Sequence, residues 1–183
     1  MEPVDAIDYL SDAAPAPGRL AVVERFVNTV DHENGREMLH SVERTRAVLA
    51  SLGLDARVTR ADVDRLRELR EQLRALARAN NGLPTKVVLD EPVRVRVGAD
   101  GGELVGHDAA SALVGIVYTA MADGTWSRLK TCKRDECRWV FYDHSRNHSS
   151  TWCSMAVCGN RTKTQAYRAR KASATRPARS DRR

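Results

Sequence analysis

At 183 residues, 42% of them apolar, the chain is long enough for one ordinary domain plus a small appendage, and no apolar stretch reaches membrane-spanning length. Its net charge of +6 conceals two parts of opposite sign: residues 1–124 hold 15 basic and 20 acidic side chains, net −5, and residues 125–183 hold 15 and 4, net +11. That asymmetry points to an acidic body carrying a basic module for a polyanion, most often nucleic acid; a basic tail that merely keeps the chain soluble is the plainer alternative. Met1 is followed by Glu2 and Asp5 instead of a basic stretch and an apolar run, so a cytoplasmic location without a membrane partner is expected.

Pro15, Pro17 and Gly18 predict a flexible N-terminus over residues 1–18. Arg19 to Asp31 is apolar at Leu20, Val23, Phe26, Val27 and Val30, a helical rhythm, although its β-branched content leaves a short strand open. Gly35 to Leu52 repeats the pattern, with Gly53 as the stop. Thr59 and Asp62 have capping-box spacing ahead of a helix with one apolar stripe, Val63, Leu66, Leu69, Leu73 and Leu76, ended by Asn80, Asn81 and Gly82. Its charged face reads as solvated surface with pairs such as Arg67 with Glu71. Lys86 to Gly106 changes period: Val93, Val95 and Val97 alternate before an Asp-Gly-Gly turn, the mark of a β-hairpin. Asp108 then caps a helix running through Met121 and closed by Gly124. The body is therefore α+β, helix-rich, with one small sheet.

All four cysteines lie in the last third. Cys132 and Cys137 are spaced C-x4-C, fifteen residues intervene, and Cys153 and Cys158 repeat the spacing. Two close pairs joined by a short insert suit a tetrahedral zinc ion, Zn2+, because each pair brings two thiolates to one side of the metal. Disulfide or redox pairs are the competing reading, and an oxidising compartment is not expected here. With four protein sulfurs no position stays open for water, so zinc hydrolysis is disfavoured. His144 and His148 sit between the pairs and read as surface or supporting residues rather than ligands. The sequence has no Ser/His/Asp order, glycine-rich phosphate loop or HExxH, and an enzyme is not expected.

Arg138 to Asp143, "RWVFYD", alternates as a strand; Ser145, Asn147 and Ser149 suit a turn; Thr151 and Trp152 would return antiparallel; and Ser154 can cap a helix from Met155 toward Lys171. Knuckle, hairpin and a helix whose first turn supplies the last ligand make a treble-clef-like zinc module, too small to fold without its metal. On a helical wheel Met155, Cys158, Thr162, Ala166 and Ala169 face the metal. Asn160, Thr164, Arg168 and Lys171 lie opposite, bordered by Arg161 on one side and by Lys163, Tyr167 and Arg170 on the other. Such a cationic, hydrogen-bonding helix fits a DNA major groove. The candidate contacts to double-stranded DNA are Asn160, Arg161, Lys163, Thr164, Arg168, Arg170 and Lys171, with Arg146 and Asn147 from the turn. The plainer reading is a basic helix that only offsets the negative charge of the metal centre.

"SRN" at Ser145 to Asn147, "WCSM" at Trp152 to Met155, "CGNR" at Cys158 to Arg161 and Lys163 together resemble the CGNR zinc-finger proteins of bacteria, whose C-terminal module follows a domain called ABATE. "FVNTVD" at Phe26 to Asp31 resembles the Asn-Thr element of that upstream domain, and basic residues common before the Trp-Cys in the family are replaced by Ser149, Ser150 and Thr151. The resemblance implies a stress-linked transcriptional regulator with four zinc-binding cysteines and a DNA-contacting CGNR region. It also divides the chain into an ABATE-like domain over 19–124, a CGNR module over 125–172 and a disordered basic tail over 173–183. An effector in the N-terminal domain and a homodimer reading two half-sites are further expectations. Asn28 and Thr29 could line a small-molecule pocket, or be satisfied core polar groups, the plainer reading. A zinc-stabilised protein-interaction or RNA-binding module and a thiol redox sensor stand as alternatives to the DNA reader.

Overall fold

The computed structural model describes residues 14–54 and 56–174, with side chains to residue 171. The elements in chain order are α1 (Leu20–Val27), β1 (Val30–Asp31), β2 (Arg36–Glu37), α2 (Val42–Ser51), α3 (Arg60–Ala79), β3 (Val93–Gly98), β4 (Gly101–Gly106), α4 (Ala109–Ala122), β5 (Leu129–Thr131), β6 (Val140–Tyr142) and α5 (Asn160–Ala174). The fold is α+β: consecutive strands pair as three antiparallel hairpins against a helical core. Residues 1–13 of the expected flexible N-terminus, and the expected tail from 175, lie outside the described residues; 173 and 174 instead continue α5.

The core is built where the apolar rhythm said it would be. Leu20, Val23, Phe26 and Val27 of α1, Val63, Leu66, Leu69, Leu73 and Ala77 of α3, and Leu113, Ile116 and Val117 of α4 are all buried together. Each large side chain removed from water in this way contributes about 2 kcal/mol. α3 begins at the expected capping box, in which Thr59 and Asp62 bond each other's backbone N–H. At its other end Asn80 donates to the carbonyls of Trp126 and Leu129, and Asn81 to that of Thr131, so the residues that stop the helix also receive β5.

Two expected helices are shorter than their periodicity. The first stops at Val27, and the second starts at Val42 instead of Gly35. Between them the Asp31 carboxylate accepts the backbone N–H and the side-chain amide of Asn34 as well as Arg36, Gly35 takes φ +66°, and β1 and β2 form a two-residue hairpin. Asp side chains that bond backbone two or three residues on offer the chain a turn in place of another helical turn. Ser41 then restarts the helix by accepting from the N–H of Arg44.

The charged face of α3 is not simply solvated, which corrects the surface-pair expectation. Glu71 pairs with Arg70 and Arg74, whereas Arg67 lies near Glu37 and Asp64. Arg70 and Arg74 are only 4% and 6% exposed. Arg70 forms a two-pronged pair with Glu37 of β2, at 2.7 Å on each arm, and so ties the small hairpin to α3.

Asp108 is the second junction. It caps α4 through the N–H of Ser111 at 2.8 Å and accepts Arg65 of α3 at 2.8 Å. Burial alone would raise its pKa, but these bonds prevail and lower it to about 2. A carboxylate whose folded value lies below its unfolded value, 3.8, stabilises fully above that value and loses the contribution as pH falls through the folded one. Acid unfolding followed between pH 5 and 2 is therefore expected to lose about 2 kcal/mol through this group, a slope that Asp108→Asn should flatten. Gly106, just before the cap, has no room for a side chain: a Cβ there would overlap the backbone of Ser111 and Ala112.

Candidate metal centre

β5 and β6 pair with Leu129 opposite Tyr142, Lys130 opposite Phe141 and Thr131 opposite Val140. The link between them is the first C-x4-C segment, closed by Cys132 N–H donating to the Trp139 carbonyl at 2.8 Å. Strand alternation then gives the hairpin two working faces. Leu129, Val140 and Tyr142 enter the body core, whereas Trp139 and Phe141 pack with the four cysteines. The expected partner for β6, a return strand through Thr151 and Trp152, is not formed: β5 takes that place, and the Thr151 carbonyl instead accepts the N–H of Lys133 in the knuckle. The apolar, β-capable Leu129–Thr131 lies before the first cysteine and is already held by Asn80 and Asn81, so it reaches β6 without the long Ser-rich turn.

Asn28 and Thr29 secure this hairpin from the body side. The Asn28 amide donates to the Val140 carbonyl at 2.7 Å and accepts its N–H at 2.8 Å, reproducing what a neighbouring strand would do. Thr29 donates to the Phe26 carbonyl and accepts from Arg70. At 5% and 0% exposure they are satisfied core polar groups.

The second cysteine pair is carried by Ser154, whose hydroxyl accepts the Val157 N–H and caps a π-helical turn, Met155–Gly159, that runs straight into α5. The four sulfurs lie within 4.8 Å of one another, and all four cysteines are buried. Cys137 to Cys153 and Cys153 to Cys158 are both 3.7 Å between Sγ atoms. A tetrahedron with metal–sulfur bonds of about 2.3 Å has edges of about 3.8 Å, so these separations match a four-thiolate metal centre and exceed a disulfide bond of about 2.05 Å. The donor set is all thiol, the choice of zinc-type centres.

Electrostatics lead to the same conclusion. Thiol donors from Cys137 and Cys153, together with the backbone N–H groups of Cys153 and Arg134, hold Cys132 far below an ordinary thiol. Its bond to Cys132 in turn pushes Cys137 up to about 12, and the same neighbours push Cys153 up as well. Four sulfurs this close cannot all ionise unless a cation joins them. The Arg134 guanidinium also lies beside the Cys158 thiol, adding a positive group next to the cluster.

The wheel drawn for the last helix holds only at Cys158 and the half-buried Thr162: Ala166 and Ala169, expected on the metal side, are exposed because α5 projects away from the module. Met155 is 56% exposed instead of facing the metal, whereas Cys158 and Gly159 are buried. A π turn takes more residues per turn than an α turn and shifts everything after it relative to Met155. Gly159 packs closely in that turn: a Cβ there would meet the movable end of the exposed Met155 side chain and come within 3.2 Å of the Trp152 ring. Beyond it, Asn160, Arg161, Lys163, Thr164, Arg168, Arg170 and Lys171 are all exposed, as are Arg146 and Asn147 on the loop. Arg161 does not stand alone, because its guanidinium meets Glu33 of the β1–β2 turn at 2.7 Å, and Glu33 holds Arg134 at 2.9 and 3.0 Å as well.

Two family models match the chain. One, the CGNR zinc finger, covers residues 128–171. The other, ABATE, described as "Putative stress-induced transcription regulator", covers residues 5–134, more than two thirds of the length. The chain belongs to the ABATE family. A search of curated proteins finds no match. No helix among the described residues is long and apolar enough to cross a membrane.

In this ABATE-family chain several residues that the sequence did not single out shape the module. Lys130, on the metal-facing side of β5, pairs with Asp143 at 2.7 Å and also donates to the His148 carbonyl. Burial raises the Asp143 carboxyl, but Lys130, Ser145 and Ser150 outweigh it and hold the group well below the usual carboxylate range. The Ser145 N–H and hydroxyl and the Ser150 N–H all converge on this carboxylate, which shapes the loop and leaves Arg146 and Asn147 at its outer edge. His144 bonds the carbonyls of Ala14 and Pro15 and packs edge-on against Tyr142, so it supports the body and does not ligate. Nothing in a spacing rule marks Lys130, Glu33 or Arg134, because Lys130 reaches Asp143 only through the β5–β6 pairing and Arg134 lies 101 positions from Glu33.

Proposed function

We propose that this protein is a zinc-dependent, DNA-binding transcriptional regulator whose α5 helix enters the groove of duplex DNA. The observation that carries the reading is the character of α5: from Asn160 to Lys171 it is exposed at every residue except the half-buried Thr162, cationic, and free of acidic residues. No Asp or Glu occurs anywhere from residue 144 to 180. A helix presenting Arg, Lys, Asn and Thr supplies both phosphate contacts and base-edge hydrogen bonds. The metal's part is to fold the turn from which α5 projects, with Cys132, Cys137, Cys153 and Cys158 as ligands. The loop residues Arg146 and Asn147 would lie on the flanking backbone. In this reading the protein works in the cytoplasm, catalyses nothing, and uses residues 19–124 as the regulatory body.

Arg168→Ala and Arg161→Ala are expected to weaken duplex binding by about tenfold each at moderate salt, with unchanged folding. Electrophoretic or anisotropy titration of the zinc-loaded chain decides the matter. Parental affinity in both variants would remove α5 from the interface. Selection from a random duplex pool adds the sequence, and an inverted repeat among the winners would show two copies acting together. Preference for single-stranded RNA over every duplex would move the assignment to an RNA-binding module.

A further inference from the structure

A cleft of about 370 Å³ lies between α3 and the first cysteine knuckle. Four cations line it, Arg74 and Arg78 from α3 and Lys133 and Arg138 from the knuckle, against the acids Glu71 and Asp135. Glu71 is already paired with Arg70 and Arg74, so the cleft keeps an excess of positive charge. Among the described residues the side chains of Arg78 and Lys133 have no hydrogen-bond or ion-pair partner, and Arg138 uses only its Nε, on the Asp135 carbonyl at 2.8 Å. All three are exposed.

Arg138 is the telling residue. It follows Cys137 directly and has φ +53°, the left-handed region that glycine enters freely and other L-residues enter at a cost. The backbone there must turn sharply, since Cys137 and Arg138 both donate to the Arg134 carbonyl while the Arg138 carbonyl accepts from Arg74. Glycine would serve the fold better at this position. An arginine at a conformational disadvantage here, with the end of its guanidinium unpaired in a cationic cleft, points to an anion outside the chain.

We infer that Arg138, Lys133 and Arg78 form a second DNA contact, a sequence-independent clamp on the phosphate backbone beside the groove that α5 enters. The inference rests on the DNA-binding reading above and extends the interface from the zinc module onto α3. Because α3 belongs to the body, the clamp would fix how the body sits against the duplex, which base contacts from α5 alone would not do.

The test uses the full zinc-loaded chain, random-sequence duplex, and Arg138→Gly, Lys133→Gln and Arg78→Gln, each titrated over a range of salt. Arg138→Gly is expected to melt no lower than the parent, because glycine suits the backbone, and yet to bind duplex about five- to tenfold more weakly. The slope of log affinity against log salt should become shallower by about one. Arg78→Gln, far from any cysteine in sequence, should show the same loss, with the cobalt-substituted spectrum of the four-thiolate centre unchanged. If the parent binds duplex and the three variants match its affinity and salt slope, the clamp is overturned while the role of α5 stands. If Lys133→Gln and Arg138→Gly lose metal but keep the parental salt slope, their charges serve the metal centre and the clamp is again overturned. A parent that fails to bind duplex even at low salt would overturn the regulator reading itself, and the clamp with it.

Discussion

Loss of one thiolate, as in Cys137→Ser, or removal of the metal by a chelator, is expected to collapse the whole C-terminal module and to destabilise the body with it. The second hydrophobic cluster consists of four cysteines with Trp139 and Phe141, Trp152 packing at its edge, and has little to hold it together once the sulfurs repel or hydrate. Apparent binding free energies of structural zinc in small modules are about 10–16 kcal/mol, so the loss exceeds anything the hairpin's own hydrogen bonds can offset. The damage spreads because Leu129, Val140 and Tyr142, on the other face of the same hairpin, belong to the main core. A drop of about 5 kcal/mol or more in global stability is expected, reversed by restoring zinc to the parent but not to the variant. Tryptophan fluorescence reports it directly, since Trp126 and Trp139 are each 6% exposed in the folded chain. A Cys137→Ser protein that keeps both its melting temperature and a stoichiometric metal would rule out the four-cysteine centre.

Arg74→Ala is expected to be the most damaging substitution away from the cysteines. One buried guanidinium donates to the Val27 carbonyl at the end of α1, to the Arg138 carbonyl in the knuckle and to Glu71 on its own helix, at 2.6, 2.7 and 3.1 Å. Desolvation lowers its pKa, with Arg70 and Arg138 nearby in the same direction, and Glu71 opposes the fall. Removing the side chain leaves two carbonyls and part of the Glu71 charge without a partner and opens a hole among α1, α3 and the module. The expected cost is about 3–5 kcal/mol. Arg74→Met, similar in length but unable to donate, should recover packing and little else. Urea denaturation with a lowered midpoint and an unchanged m-value is the expected signature. A loss below about 1 kcal/mol would mean that water replaces the guanidinium at both carbonyls.

The periodicities that reached the structure intact are those that local physics decides. The capping box at Thr59, the Asp108 cap and the valine alternation of β3 each depend on residues within a few positions of one another, and all three appear where expected, Asp108 completing a capping box with Ser111 that the sequence alone did not single out. The cysteine spacing was equally legible, because a metal centre constrains residue type and separation together. The errors came from competition at a distance. The Asp31–Gly35 turn is the exception, a local one: it shortened the expected helices on either side of it. β6 took Leu129–Thr131 as its partner instead of Thr151 and Trp152, and no local rule ranks one candidate above the other. The π turn at Met155–Gly159 also escaped the wheel, since its sequence is as compatible with an α turn and only the packing of Met155 and Trp152 against Gly159 distinguishes them. Arg70 and Arg74 read as surface because arginine usually is; their burial depends on the Phe26, Val27 and Arg138 region arriving from elsewhere in the chain.

The double-sided hairpin also governs how this protein can be taken apart. Cutting at residue 125, where charge and family resemblance both suggest a border, would strip the cover from Leu129, Val140 and Tyr142 and leave the Val140 peptide without the Asn28 amide. A fragment made that way would carry an intact set of sulfurs and a sticky apolar sheet. Anyone wishing to graft the basic helix onto another scaffold must therefore either bring α1 and α3 along or rewrite those three positions as polar, treating the hairpin as shared property of both halves.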